Sequence, residues 1–399
     1  MRHPRSAVAL TLVCMSVLGA CRADAPAPTP RPTAPSAVLP GPGAALTPEA
    51  RSAPLLVWSR SGMPQGLEET IGRLPGVGRM VTVVTGTIWL TASFDVSGHP
   101  VDHPPRPMAI PLEVAGANPA AIAPLMPEQD HGYLPALVSG EGLLGTTSAR
   151  VRRLGAGGVL VFGATKVRVG GVVPDADIGA HELFVSKATA ARLGVRTTSY
   201  ALVMAAQGAS LVDLLHSIKS LVPTSLPARV LLPGRVPYLR EAPTVLPPVM
   251  EKVLFGEFAA RVIPGTGGYL DVDPSFVARH IVSQAVPILG DVTCNKAIMP
   301  LLRDALGQIA AEGLAGLIHR SDYGGCYVAR IIPDVPGEPI SHHAWGTAID
   351  INVSENPFGG APHQDPGVVA AFQRWGFTWG GRFIVPDGMH FEFLRSPAR

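Results

Sequence analysis

The chain has 399 residues, with 32 Lys and Arg against 30 Asp and Glu, so its formal net charge is only +2. Such a balance excludes nucleic-acid binding by bulk charge. With 44 Gly and 41 Pro the share of these two residues is nearly double the usual one, yet 47% hydrophobic content leaves material for more than one packed core.

Arg2, His3 and Arg5 precede an apolar run from Ala7 to Leu18. This run fits the h-region of a signal peptide and is too short to span a bilayer. It ends in Leu18-Gly19-Ala20-Cys21, which resembles a bacterial lipobox, so residues 1–20 are expected to be a signal peptide and Cys21 a lipidation site. The implied product is an extracytoplasmic lipoprotein at the cell membrane, facing the cell wall. Without the first 20 residues the basic and acidic side chains balance at 30 each. Residues 21–54 carry nine prolines without apolar periodicity and are expected to form a tether.

Residues 55–222 are expected to form an α+β domain of their own. Met80 to Phe94 has the β-branched, apolar character of a strand or hairpin, and two short strands are expected between Gly158 and Val173. Helices are expected over Gly66 to Leu74, Lys187 to Leu193 with Gly194 as the stop, and Ser210 to Leu221. The run Gly158-Val159-Leu160-Val161-Phe162, Val172-Val173-Pro174-Asp175 and Ile178 to Leu183 weakly resembles the extracytoplasmic domains of bacterial permease-type transporters. No His, Cys or carboxylate cluster with ligand spacing occurs in this domain, and docking of an envelope protein is the role expected of it. Residues 223–250 hold seven prolines up to Pro248 and are expected to be a linker.

In residues 251–399 a helix is expected at Asp273-Pro274, where Asp caps and Pro occupies the first turn. Another follows Cys294, with Ile298, Leu301, Leu302, Ala305 and Ile309 on one face and Gly313 as its end. Cys14 lies in the signal and Cys21 is the lipid site, which leaves Cys294 and Cys326 to form a disulfide in an exported chain. Closing that loop stabilises the fold by roughly 3–4 kcal/mol in the chain-entropy account.

The chemistry is concentrated in Ser341-His342-His343-Ala344-Trp345-Gly346-Thr347-Ala348-Ile349-Asp350 and in Asp387-Gly388-Met389-His390-Phe391-Glu392. Strand alternation puts Ile349, Ile351 and Val353 on one side and Ala348, Asp350 and Asn352 on the other. The same alternation separates Met389, Phe391 and Phe393 from His390 and Glu392. If the two strands are neighbours, Asp350 and His390 converge. His343, Asp350 and His390 then make a three-ligand zinc site with an open fourth position, and Asp387 is the acid that moves the proton of the attacking water.

These residues resemble the zinc D-alanyl-D-alanine carboxypeptidase family and its relatives, the peptidoglycan L-alanyl-D-glutamate endopeptidases, over about Cys294 to Glu392. Ser341, His343, Gly346, Ala348 and Asp350 meet the first motif, and Asp387 with His390 meets the second; Asp rather than Glu at 387 resembles the endopeptidase branch. The resemblance implies a zinc metallopeptidase with a small antiparallel sheet flanked by helices, acting on peptidoglycan stem peptides, with His343, Asp350 and His390 as zinc ligands and Asp387 as acid/base. It implies substrate binding by Ser341 and by an Arg that corresponds best to Arg330, with Arg320 as competitor. The rival expectation is a zinc-stabilised, non-catalytic module that binds cell wall or an envelope protein. His342 is expected behind the ligands or at the surface and His363 on a surface loop. Trp345, Trp375 and Trp379 are expected to pack, and Glu392 either orients an imidazole or is solvated.

Overall fold

The computed structural model describes residues 53–232, 245–332, 335 and 337–395. The expected signal peptide, Cys21 and all but the last two residues of the expected tether therefore lie outside the described residues. Among the described residues no helix is long and apolar enough to cross a membrane.

The N-terminal region is built on one mixed sheet of ten strands: β1 (Leu55–Ser59), β2 (Val77–Leu90), β3 (Ala92–Phe94), β4 (Ile110–Ala117), β5 (Gly142–Gly145), β6 (Val159–Phe162), β7 (Thr165–Val173), β8 (Leu183–Ser186), β9 (Thr198–Ala205) and β10 (Ala228–Leu231). Their order is β10-β1-β9-β2-β4-β8-β5-β7-β6-β3. The pairs β4/β8 and β5/β7 are parallel, and the others are antiparallel. The expected helices form at Leu67–Gly72, Lys187–Arg192 and Leu211–Leu221. Ser186 and Ser210 cap the last two by accepting the N–H of Thr189 and Asp213. The stretch read as a linker contributes β10, in which Arg229 and Val230 pair with Trp58 and Val57.

The C-terminal region carries two hairpins, β11 (Ala260–Val262) with β12 (Leu270–Val272) and β13 (Ile281–Val286) with β14 (Gly290–Asn295). A small antiparallel sheet follows, made of β15 (Tyr323–Gly325), β16 (Ala348–Ile351), β17 (Phe377–Trp379) and β18 (His390–Phe393), in the order β15-β16-β18-β17. The chain is thus a mixed fold of helices and several sheets, with the expected small antiparallel sheet near its end. Helix Pro274–His280 begins at Asp273, whose side chain accepts the Ser275 N–H. Helix Met299–Ala311 buries Leu302, Ala305, Leu306 and Ile309 against this sheet, and Pro300 occupies its first turn, where its missing N–H costs nothing. Phe372 of helix Pro366–Arg374 stacks on Phe391. Trp345 packs on Phe258 in the same core.

The two regions share a bonded junction. Ala109 and Ala260 exchange backbone hydrogen bonds of 2.9 and 2.8 Å, and the Thr87 N–H donates to the Gly337 carbonyl at 2.8 Å. A buried ionic cluster spans the same boundary: Arg152 faces Asp102, Glu182 and Glu257, while Lys252 Nζ donates to both Glu182 oxygens at 2.7 and 2.9 Å.

Candidate functional site

The site forms because β16 and β18 are neighbours in register, with Asp350 directly opposite His390. His343 arrives from a short 3-10 turn, His342–Ala344, capped by Ser341, whose Oγ accepts the His343 N–H at 3.3 Å. Gly346 then turns the chain with φ +68°, close against the backbone of Asn295, where a side chain would collide. That approach brings the turn onto β14. The Cys294–Cys326 disulfide is present, with Cα atoms 5.3 Å apart, and it holds the segment whose Cys326 carbonyl contacts His343 Nδ1 at 2.9 Å.

His343 Nε2, His390 Nδ1 and the Asp350 carboxylate converge. The His343 Nε2 to His390 Nδ1 distance is 3.1 Å, His390 Nδ1 to Asp350 Oδ1 is 3.0 Å, and His343 Nε2 to Asp350 Oδ2 is 3.2 Å. Each residue offers one atom to a common metal position. The donor chemistry tests the fit. A carbonyl only accepts, so His343 Nδ1 carries its proton toward Cys326 and leaves Nε2 with a lone pair. Glu392 Oε2 lies 3.0 Å from His390 Nε2 and likewise leaves Nδ1 as the coordinating atom. Two ring nitrogens and a carboxylate this close together need positive charge among them, which ring protons or a bound cation can supply. Tetrahedral zinc with Zn–N bonds near 2.0–2.1 Å places its ligand atoms about 3.3 Å apart, close to the observed triangle. The residues present fit a divalent metal.

Behind the triangle is a second layer of buried charge. Glu392 Oε2 also faces His342 Nδ1 at 2.9 Å, and Glu251 Oε2 accepts the Thr347 hydroxyl at 3.1 Å. Burial disfavours charge on His342, but Glu392 and Glu251 together raise it to about 9. Burial pushes Glu251 up to about 7, with His342 opposing the shift. Asp350 is nearly enclosed, yet His343 and His390 hold it well below the ordinary carboxylate range. Asp387 is raised chiefly by burial, and its Oδ1 is buried without a hydrogen-bond partner among the described residues. Gly380 supplies the room for it: a Cβ there would come within 2.7 Å of the Asp387 carbonyl oxygen and 3.1 Å of both the Asp387 and His390 Cβ atoms.

Other expected residues fall elsewhere. Arg330 is half-buried, its carbonyl accepts the Ser341 N–H, and it bridges Tyr269. Arg320 is exposed and lies over Gly290. Ser341 caps the turn of its own chain. Asn352 departs from the expected alternation: β16 ends at Ile351, and Asn352 takes φ +51°. Its side chain donates to the Leu317 carbonyl and Gln364 and accepts the His319 N–H, contacts that fix the loop after the strand. Glu392 orients an imidazole, His342 is buried behind the ligands, and His363 is exposed. Trp345, Trp375 and Trp379 each donate their indole N–H, to the Gly256 carbonyl, Gln308 and the Gly388 carbonyl.

Sequence reasoning did not find Glu251 or the cavity that reaches Asp387. This cavity, of about 200 Å³, is lined by both regions, among them Trp58, Arg60, Thr87, His342, Asp387 and Glu392. No motif links such distant positions. A helix residue, Glu251, facing the His342 turn would have been the single available signal.

His343, Asp350 and His390, with Asp387 nearby, form a candidate metal centre. Residues 336–393 match the D-alanyl-D-alanine carboxypeptidase family, so this part of the chain is peptidase-like. No curated protein matches the chain. Among solved structures, the periplasmic region of MacB from Actinobacillus actinomycetemcomitans is 11% identical, with a TM-score of 0.29, covering 43% of this chain and 84% of that one. The extracellular domain of the noncanonic ABC-type transporter YknZ from Gram-positive bacteria is 13% identical, with a TM-score of 0.27 and coverages of 42% and 88%. At these scores neither likeness carries an argument about this chain.

Proposed function

We propose that the chain is an extracytoplasmic zinc peptidase that hydrolyses peptidoglycan stem peptides, held at the membrane by a lipid on Cys21. The observation that carries this reading is the convergence of His343, Asp350 and His390 beside Asp387, whose Oδ1 is buried without a hydrogen-bond partner, within the segment that matches the carboxypeptidase family. The lipobox-like Leu18-Gly19-Ala20-Cys21 supports the location.

His343 Nε2, His390 Nδ1 and an Asp350 oxygen would hold the zinc. Bound there, it would lower the pKa of a water to about 7 and polarise the scissile carbonyl. Cys326 and Glu392 fix the tautomers of the two imidazoles, so both coordinating nitrogens are ready without rotation. Asp387 accepts the proton of the attacking water at its unpartnered Oδ1 and returns it to the departing amine, a cycle that its burial-raised proton affinity favours. Incubation of the zinc-loaded chain with purified muropeptides, followed by mass analysis of the products, tests the reading. Loss of D-Ala, or cleavage after L-Ala, is expected, abolished by chelation and restored by zinc. Metal and cell-wall binding without any product would favour the non-catalytic module instead.

A further inference from the structure

The cavity beside Asp387 is built from both regions. Its apolar wall comes from Trp58, Leu246, Pro248, Ile332, Val335 and Ile340, and its volume of about 200 Å³ suits the end of a peptide, not a folded partner. Its acids other than Asp387 face imidazoles: Glu113 lies 3.3 Å from His181 and Glu392 lies 2.9 Å from His342. Arg60 differs. It belongs to the N-terminal region, in the turn that leaves β1, and this turn is fixed by the Ser59 hydroxyl donating to the Gly62 carbonyl at 2.7 Å and by Gly62 at φ +81°. The guanidinium carbon lies over the ring of Phe358, 5.4 Å from its centroid. Among the described residues no carboxylate stands within 4.0 Å of it. Stacking occupies one face of a guanidinium and leaves its five in-plane N–H donors available, the geometry that a carboxylate accepts in bidentate fashion.

We propose that Arg60 receives the C-terminal carboxylate of the peptide in the cavity beside Asp387, so that the N-terminal region forms one wall of the substrate cleft and selects a chain end over an internal bond. The assignment rests on the peptidase reading above for the nature of its ligand. It places the substrate-holding cation on Arg60, outside the matched segment, and not on Arg330. The apolar lining of the cavity suits a small side chain such as that of D-Ala.

The test uses the full zinc-loaded chain and two dipeptide probes that cannot be hydrolysed: N-acetyl-D-Ala-D-Ala with its peptide bond replaced by CH2–NH, as the free carboxylate and as the C-terminal carboxamide. Calorimetry is expected to show the carboxylate bound about tenfold or more tightly than the carboxamide, the size of a charge-assisted pair. Arg60→Met, which keeps the stem on Phe358, is expected to erase that preference; Arg60→Lys restores part of it, and Arg330→Met leaves it intact. General damage to the fold would weaken both probes equally. A wild-type chain indifferent to the carboxylate, or an Arg60→Met chain that still prefers it, overturns the assignment. Muropeptide cleavage by a chain indifferent to the two probes would sink only the role of Arg60. A carboxylate preference through Arg60 in a chain that cleaves nothing would sink only the peptidase reading.

Discussion

Among the described residues, the buried ionic cluster at the junction of the regions and the one at the site are satisfied in opposite ways. At the junction of the regions, Arg152 and Lys252 meet Asp102, Glu182 and Glu257. Burial would strip the proton from Arg152, but Glu257, Glu182 and Asp102 raise its proton affinity instead. At the site, the ion-pair partners of Asp350, Glu392 and Glu251 among the described residues are imidazoles, whose protons are exchangeable. A cluster that closes on its own fixed charges has no place for a further ion, whereas one built from imidazoles and carboxylates can trade protons for a metal. The first binds the fold together; the second can do chemistry.

The largest expected effect lies at the second cluster. Asp387→Ala should lower muropeptide hydrolysis by about 10²–10⁴-fold. Zinc content and unfolding temperature should change little, because Asp387 Oδ1 holds no other group. Product mass and metal analysis on the same preparation check this; undiminished cleavage would remove Asp387 from the mechanism. The first cluster should respond in the other direction. Arg152→Met leaves Glu182 and Glu257 short of a partner in a buried place and should cost about 3–5 kcal/mol of stability. Zinc affinity and turnover per folded molecule should stay near wild type. Denaturant unfolding paired with active-site titration separates the two, and a selective loss of turnover without loss of stability would break the comparison.

Glu392→Gln sits between these extremes. Glu392 Oε2 contacts both His390 Nε2 and His342 Nδ1, so the amide weakens the orientation of one ligand and leaves His342 with less to hold it. Outer residues of this kind typically alter metal affinity by about 10–100-fold. Competition with a chromogenic chelator measures it. An unchanged affinity would mean that the His390 tautomer is set by something other than Glu392.

The metal triangle was legible in the sequence because its parts obey short-range rules. Motif spacing selected His343, Asp350 and His390, and period-two alternation put Asp350 and His390 on matching faces of strands that do pair. The alternation failed one residue later, at Asn352, where side-chain hydrogen bonds to the backbone outweighed strand propensity. Proline density concealed β10, since it registers composition and not the four residues that complete a sheet edge. Arg60, Glu251 and the Arg152 cluster were illegible for a different reason. Each takes part of its meaning from positions more than ninety residues away, as Thr347 with Glu251 and Arg152 with Glu257 show. No spacing rule reaches that far.

A third acidic site sharpens the comparison with the smallest effect. Asp177 stands beside Asp130 in the N-terminal region, and here neither a fixed cation nor an imidazole is the stabilising element. Burial, and then the hydrogen bond and the negative charge of Asp130, raise Asp177 from 3.8 to about 6, so the pair holds a proton below that pH. A raised acid favours the folded state while the proton is held. Its contribution is whole below pH 3.8, where the unfolded chain is protonated as well, and is lost as pH rises through about 6. Asp177→Asn should therefore flatten the decline of the unfolding temperature between these two values and make the chain slightly more stable at pH 7. Because Asp177 is only partly shielded, solvent screening limits the gain to about 1 kcal/mol or less. Thermal unfolding of the two proteins across this pH range decides it, and parallel curves would show that the proton is not shared. A flattened curve would establish that this chain balances its buried acids in three ways: with fixed cations, with imidazoles, and with a proton.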